Sequence, residues 1–185
     1  RTGRFTYAPC LDCETATSVF SLFFWSQPGM APAKVDVQDP GFEVIGRGRV
    51  STGLEVKRWT TKSKRPRITV EAIGGGTLDV FGVTHEYERP GVVVDAIGYP
   101  GATPDAMLRL DPDLVLGMLA KREVGLLALA YGEIEGQADD IDEAGYRRDY
   151  GKLLERLRAA ADDAPCLVIG PPPSLTGEAQ PRQFR

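Results

Sequence analysis

"TLDVFGVTHEYERPGVVVDAIGYPG", from Thr77 to Gly101, holds the change of pattern on which the fold turns. Up to Tyr87 apolar and polar residues alternate, the period of a strand with one face in a core and one in water. Beyond Pro90 the run Val92, Val93, Val94, Asp95, Ala96, Ile97 is almost continuously apolar, as in a parallel strand buried on both faces. The alternation also changes phase within itself. Leu78 and Val80 share one face, then Phe81, Val83, His85 and Tyr87 share the next, so a bulge or bend is expected near Phe81 and Gly82.

Working outward toward the N-terminus, the segments "SVFSLFFW", "AKVDV", "FEVIG", "STGLEVKRW" and "RITVEAI" are short and rich in β-branched and aromatic residues. They are separated by Gly and Pro, and Gly74 to Gly76 fit a tight connection. Such spacing predicts an antiparallel β-sandwich over residues 1–90. Toward the C-terminus, "VVVDAI", "VGLLALAY" and "CLVIG" are predicted as parallel strands with helices between them. Thr103 before Pro104 and Asp111 before Pro112 each give an N-cap followed by a first-position proline, for a short helical turn and then a helix. In "DEAGYRRDYGKLLERLRAA", Tyr146, Tyr150, Leu153, Leu154, Leu157 and Ala161 recur at helical spacing behind an Asp142 cap. The order β, α, β, α, β over residues 91–185 makes a partial α/β layer with right-handed crossovers.

The 185 residues, 42% of them hydrophobic, are enough for a sizeable core. Twenty-two basic against 26 acidic residues leave a net charge of −4, which excludes a chain-wide footprint for nucleic acid. The one basic cluster is Lys57, Arg58, Lys62, Lys64, Arg65 and Arg67 around Trp59. It reads as a solvated hairpin rather than as a site for an acidic glycan. No apolar run is long enough to span a bilayer as a helix. Cys10 and Cys13 have the spacing of a small disulfide loop or of half a zinc site, but only Cys166 and His85 remain as further ligands, so neither metal nor cofactor is expected. His85 lies in line with apolar residues and is read as a packed side chain.

In a parallel sheet, ligands sit at the carboxyl ends of strands, in the loops that enter helices. Two loops qualify: "GYPGATP" after "VVVDAI", and "YGEIEGQADD" after "VGLLALA". Glycine there lets backbone N–H groups point outward, toward an oxyanion or a phosphate. "GYPGAT" offers only G-x-x-G, with a proline that deletes a donor, and so departs from the dinucleotide pattern. Glu133 and Glu135 in the second loop are candidates for acid and base work.

At these two loops the sequence resembles the SGNH (GDSL-like) hydrolases, in particular bacterial polysaccharide and peptidoglycan O-acetylesterases that carry a β-sandwich within the catalytic domain. "GGGTLDVFGVTHEYERPGVVVDAIGYPGAT" is similar to the sandwich exit and the family's second block, and "DPDLVLGMLAKREVGLLALAYGEIEG" to the approach to its third. The resemblance implies a jelly-roll-like sandwich followed by part of a flavodoxin-like three-layer α/β/α unit, a periplasmic or extracellular setting and an acetylated carbohydrate as substrate. It places Gly101 on the second-block glycine, whose N–H is an oxyanion donor, with Tyr99, Ala102, Glu133, Ile134 and Glu135 on the substrate side. Where the third block reads Gly-x-Asn, this chain has Gly132, Glu133 and Ile134, so isoleucine stands in the oxyanion asparagine's place. Loss of one such donor typically lowers turnover by roughly 10² to 10³.

No Gly-Asp-Ser nucleophile motif and no Asp-x-x-His occurs in the 185 residues, which are therefore expected to be an internal piece of an esterase and inactive alone. The alternative is a carbohydrate-binding module without catalysis, using Trp59 or Trp25.

Overall fold

The computed structural model describes residues 3–9, 17–39, 41–48, 51–98, 100–136, 142–171, 174–176 and 180–182, the last two segments by their backbone alone. The chain divides into two compact units, Arg1–Asp95 and Ala96–Arg185, a boundary a few residues beyond Pro90. Cys10 and Cys13 lie outside the described residues.

The first unit is organised by its most apolar strand. β2 (Ser18–Ser26) alternates Phe20, Leu22 and Phe24, each at most 2% exposed, with Ser21 and Phe23, which are also buried. It is the middle of a three-stranded antiparallel sheet, between β5 (Gly53–Thr61) and β7 (Asp79–Tyr87). A second antiparallel sheet has the order β1 (Arg4–Tyr7), β6 (Ile68–Ala72), β3 (Ala33–Val37), β4 (Gly41–Ile45). β3 shows the period-2 rule directly: Ala33, Val35 and Val37 are fully buried, while Lys34 and Asp36 point away.

Phe20, Leu22, Phe24 and Trp59 from the three-stranded sheet join Val35, Val37, Ile45, Ile68 and Val70 from the four-stranded one in a single apolar cluster. Each large side chain so buried contributes roughly 1.5–3 kcal/mol by removal from water. Six of these seven strands coincide with segments the alternation marks out. β1 does not, because its four residues are exposed and it exists only through its pairing with β6, Phe5 opposite Val70.

The phase change in β7 is a bulge. Phe23 pairs with Gly82 and Phe24 with Val80, so Phe81 has no partner of its own on β2. The extra residue allows Leu78, Val80 and Val83 to pack on the same core although their spacing is not even.

The second unit holds α1 (Pro104–Leu108), α2 (Pro112–Ala120), β8 (Leu127–Ala130), α3 (Glu133–Gly136), α4 (Glu143–Ala160) and β9 (Cys166–Ile169). β10 (Ser174–Thr176) and β11 (Gln180–Arg182) form an antiparallel pair. The helix starts follow the capping residues. The Thr103 hydroxyl accepts from Ala106 N–H at 3.2 Å, the Asp111 carboxylate from Asp113 N–H at 2.9 Å, and the Asp142 carboxylate from Gly145 N–H at 2.8 Å. β8 and β9 pair in parallel, Leu127 opposite Cys166 and Ala130 opposite Ile169. Leu127 and Leu129 pack with Leu153 and Leu157 of α4, Met107 and Leu108 of α1, and Val115 and Leu119 of α2. The fold is therefore mixed, antiparallel β in the first unit and α/β in the second.

One expected strand is absent. Residues 91–98 belong to no strand, and Val92, Val93, Val94 and Ile97 are 57–92% exposed. A strand exists by its hydrogen-bonded ladder, and no described strand pairs with this segment. β9 also departs from expectation, with Leu167, Val168 and Ile169 exposed rather than buried.

Candidate functional site

Both candidate loops fall in the second unit. Gly101 lies in a turn directly before the Thr103-capped start of α1, with φ +77° and open space where a Cβ would stand. That left-handed backbone is the kind glycine adopts without strain. Ala102 beside it is half-buried and Tyr99 lies outside the described residues.

The second loop leaves the carboxyl end of β8 and turns at once into α3. Gly132, at φ +108°, is buried against its surroundings. A Cβ there would stand 3.1 Å from both Pro171 Cγ and the Tyr146 hydroxyl. Pro171 follows β9, so the loop is wedged where the two parallel strands end together. Glu133 is exposed, Ile134 is 43% exposed, and Glu135 is half-buried with both carboxylate oxygens enclosed and without a hydrogen-bond partner among the described residues. No hydrogen bond, ion pair or ring contact among the described residues joins residues 100–102 to residues 133–135.

Around Glu135 stands a group of tyrosines: Tyr131, which opens the second candidate loop, and Tyr146 and Tyr150, which the sequence pattern marks as a packing stripe. Tyr131 and Tyr150 meet edge to face at 5.9 Å, Tyr146 and Tyr150 at 5.6 Å. The Tyr150 hydroxyl donates to the Leu129 carbonyl at 3.2 Å. Burial raises the pKa of Tyr131, and the charge of Glu135 raises it further. Burial first, then Glu135 and Tyr150, pushes Tyr146 to about 12. These phenols are protonated donors at neutral pH, next to a carboxylate able only to accept when ionised. The signal for them was present in the i, i+4 pair Tyr146 and Tyr150, but spacing alone does not separate a site from a core.

His85 lies in the first unit. Its ring packs 5.1 Å from Phe20 and 5.2 Å from Tyr87, Nε2 is enclosed without a hydrogen-bond partner among the described residues, and burial lowers its pKa against the opposing charge of Glu86. Trp59 is buried in the core and donates from Nε1 to Glu43 Oε2 at 3.0 Å, which removes it as a stacking platform for a sugar. Among the described residues no three His, Cys, Asp or Glu side chains converge as metal ligands, and no helix is long and apolar enough to cross a membrane.

No protein-family model matches the chain, and no curated protein matches it significantly. A solved structure of a peptidoglycan O-acetylesterase does match, with a TM-score of 0.65 and 18% identity over 95% of this chain. The likeness is one of fold, and this chain spans 55% of the length of that one.

Proposed function

We propose that residues 1–185 are the interior of an SGNH-type serine esterase that removes acetyl groups from a carbohydrate. The observation that carries the reading is the fold likeness to a peptidoglycan O-acetylesterase, which runs along nearly the whole of this chain. The left-handed Gly101, at a turn leading into a capped helix, is the backbone donor such chemistry requires. In the complete enzyme a serine attacks the ester carbonyl, a histidine takes the serine proton and returns it to the leaving alcohol, and the Gly101 N–H holds the oxyanion. Tyr99, Ala102, Glu133, Ile134 and Glu135 line the substrate. Neither nucleophile nor base of that pattern is among the 185 residues, so this stretch alone is inactive.

The Ile134 side chain donates no hydrogen bond, which leaves the oxyanion one donor short and the parent a slow enzyme by roughly 10² to 10³. The test compares the full-length gene product with the 185-residue chain, using an activated acetyl ester and a serine-directed inactivator. The expected result is slow, inactivator-sensitive turnover in the former, several-fold faster in Ile134→Asn, and none in the latter. Serine-dependent turnover by the 185-residue chain, or none by the full-length Ile134→Asn protein, overturns the reading.

A further inference from the structure

The esterase reading leaves the basic stretch of the first unit unused. From Arg58 to Arg67 the sequence holds five cations and no acid, in a chain whose net charge is −4. Arg58, Lys62, Lys64, Arg65 and Arg67 are all exposed, and among the described residues none of their side chains makes a hydrogen bond or an ion pair. Lys57 stands apart, bound to Glu43. A solvated face ordinarily mixes both signs, whereas like charges this close repel one another and build a local positive potential.

Composition alone makes the stretch a solvated hairpin, but its backbone is pinned. The buried Thr61 hydroxyl donates to the Gln38 carbonyl at 2.6 Å and accepts from Ser63 N–H at 3.1 Å. The Ser63 hydroxyl accepts from Arg65 N–H at 3.2 Å, Pro66 is fully buried, and Gln38 N–H donates to the Arg67 carbonyl at 3.2 Å. Both ends of the turn are thus tied to one residue in the connection from β3 to β4. Arg58 and Thr60 lie on the opposite face of β5 from buried Trp59 and Thr61, and β5 is an edge strand of its sheet. Charges carried on a fixed backbone lose less freedom on binding than charges on a loose tail.

The kind of polyanion follows from the side chains that accompany the charges. Trp59, the one aromatic residue in the stretch, is 8% exposed with Nε1 bonded to Glu43, so no ring is offered for a nucleic-acid base to stack on. Its only apolar side chains, Trp59 and Pro66, are both buried, so nothing is placed to enter the acyl boundary of a membrane. What is exposed is a row of ammonium groups and guanidinium forks, interleaved with the hydroxyls of Thr60 and Ser63. Those donors match a chain that presents carboxylates and hydroxyls in turn.

We propose that this turn and the outward face of β5 dock a linear acidic polysaccharide by its carboxylates. The surface lies wholly in the first unit, and the proposal stands apart from the esterase reading. The test titrates the 185-residue protein with polygalacturonate, neutral dextran, a DNA duplex, single-stranded poly(dT) and vesicles containing phosphatidylglycerol, at matched concentrations of anionic groups, and follows binding by calorimetry. Two double variants carry the same net charge: Lys62→Ser with Arg65→Ser in the turn, and Lys121→Ser with Lys152→Ser at exposed positions of the second unit.

Polygalacturonate is expected to bind, with dextran at least tenfold weaker, and to weaken about tenfold or more as salt rises from about 50 to about 200 mM. The turn variant is expected to lose about tenfold in affinity with an unchanged thermal midpoint, and the second-unit variant less than about twofold. No binding of polygalacturonate, equal binding of dextran, tighter binding of either nucleic acid or of the vesicles, or equal losses in the two variants each overturns the proposal.

Discussion

Gly132→Ala tests whether the loop after β8 is held as described. The backbone there has φ +108°, outside the ordinary left-handed well, and holding an L-residue in such a region costs on the order of 1–3 kcal/mol. The new methyl would also stand 3.1 Å from Pro171 Cγ and from the Tyr146 hydroxyl, so the segment after β9 and a side chain on α4 must both give by a few tenths of an ångström. Together these lower the stability of the second unit by about 2–3 kcal/mol, which for a unit of this size moves its thermal midpoint by roughly 10–20 °C.

The two units can be followed separately. Both tryptophans, Trp25 and Trp59, lie in the first, and all four described helices lie in the second. Far-UV circular dichroism at 222 nm during heating should therefore show the loss, while tryptophan fluorescence keeps the wild-type midpoint. Gly151→Ala is the matched control. It lies within α4 with open space around its Cβ position, and alanine there is expected to raise stability by up to about 1 kcal/mol. A Gly132→Ala protein whose helical signal melts with the wild type would refute the account of this loop.

Two further outcomes follow from the first unit. Deleting Phe81 leaves Gly82 opposite Phe23 and Val80 opposite Phe24, the pairs already present, so the protein should keep its tryptophan emission at a cost below about 2 kcal/mol in urea unfolding. Deleting Thr84 instead reverses the faces on one side of the gap and should cost several kcal/mol; equal effects of the two deletions would rule out the bulge. His85 has its folded pKa lowered by burial, so its contribution is complete above the unfolded value of about 6.5 and is lost as pH falls through the folded value. The urea midpoint read by tryptophan should drop between pH 7 and pH 5 in the wild type and drop less in His85→Phe, which keeps the ring contacts with Phe20 and Tyr87; an unchanged pH slope in the variant would remove His85 from the account.

The elements legible in the sequence are those whose signal is local. β3 is written in its own alternation, and the starts of α1, α2 and α4 are written in Thr103, Asp111 and Asp142, because a cap acts within one turn. Even the bulge at Phe81 is legible, since a period of two makes any slip visible. What the sequence could not supply depends on partners far along the chain. β1 is a strand only because β6 lies beside it, and residues 92–97 have strand composition but pair with no described strand. At the candidate site, the tyrosine group around Glu135 brings together β8, α3 and α4, an arrangement no single window of sequence contains.

The exposed strand-like segment and the proposed donor turn at Gly101 are neighbours in the chain. In the first unit two sheets cover each other, so every large inward side chain of β2 finds apolar neighbours. In the second unit the helices share one cluster with Leu127 and Leu129, while Ala128, Ala130, Leu167 and Ile169 remain exposed. A parallel sheet is stable when both its faces are covered and its strands are laddered, and a two-stranded one alone is marginal. Val92, Val93, Val94 and Ile97 are exposed and pair with no described strand, and Gly101 comes four positions after Ile97. An oxyanion donor works by pointing at a fixed place before the reaction begins. On the proposed reading of Gly101 as an oxyanion donor, a strand laddered beside residues 92–97 would both cover them and hold the turn that carries the Gly101 N–H.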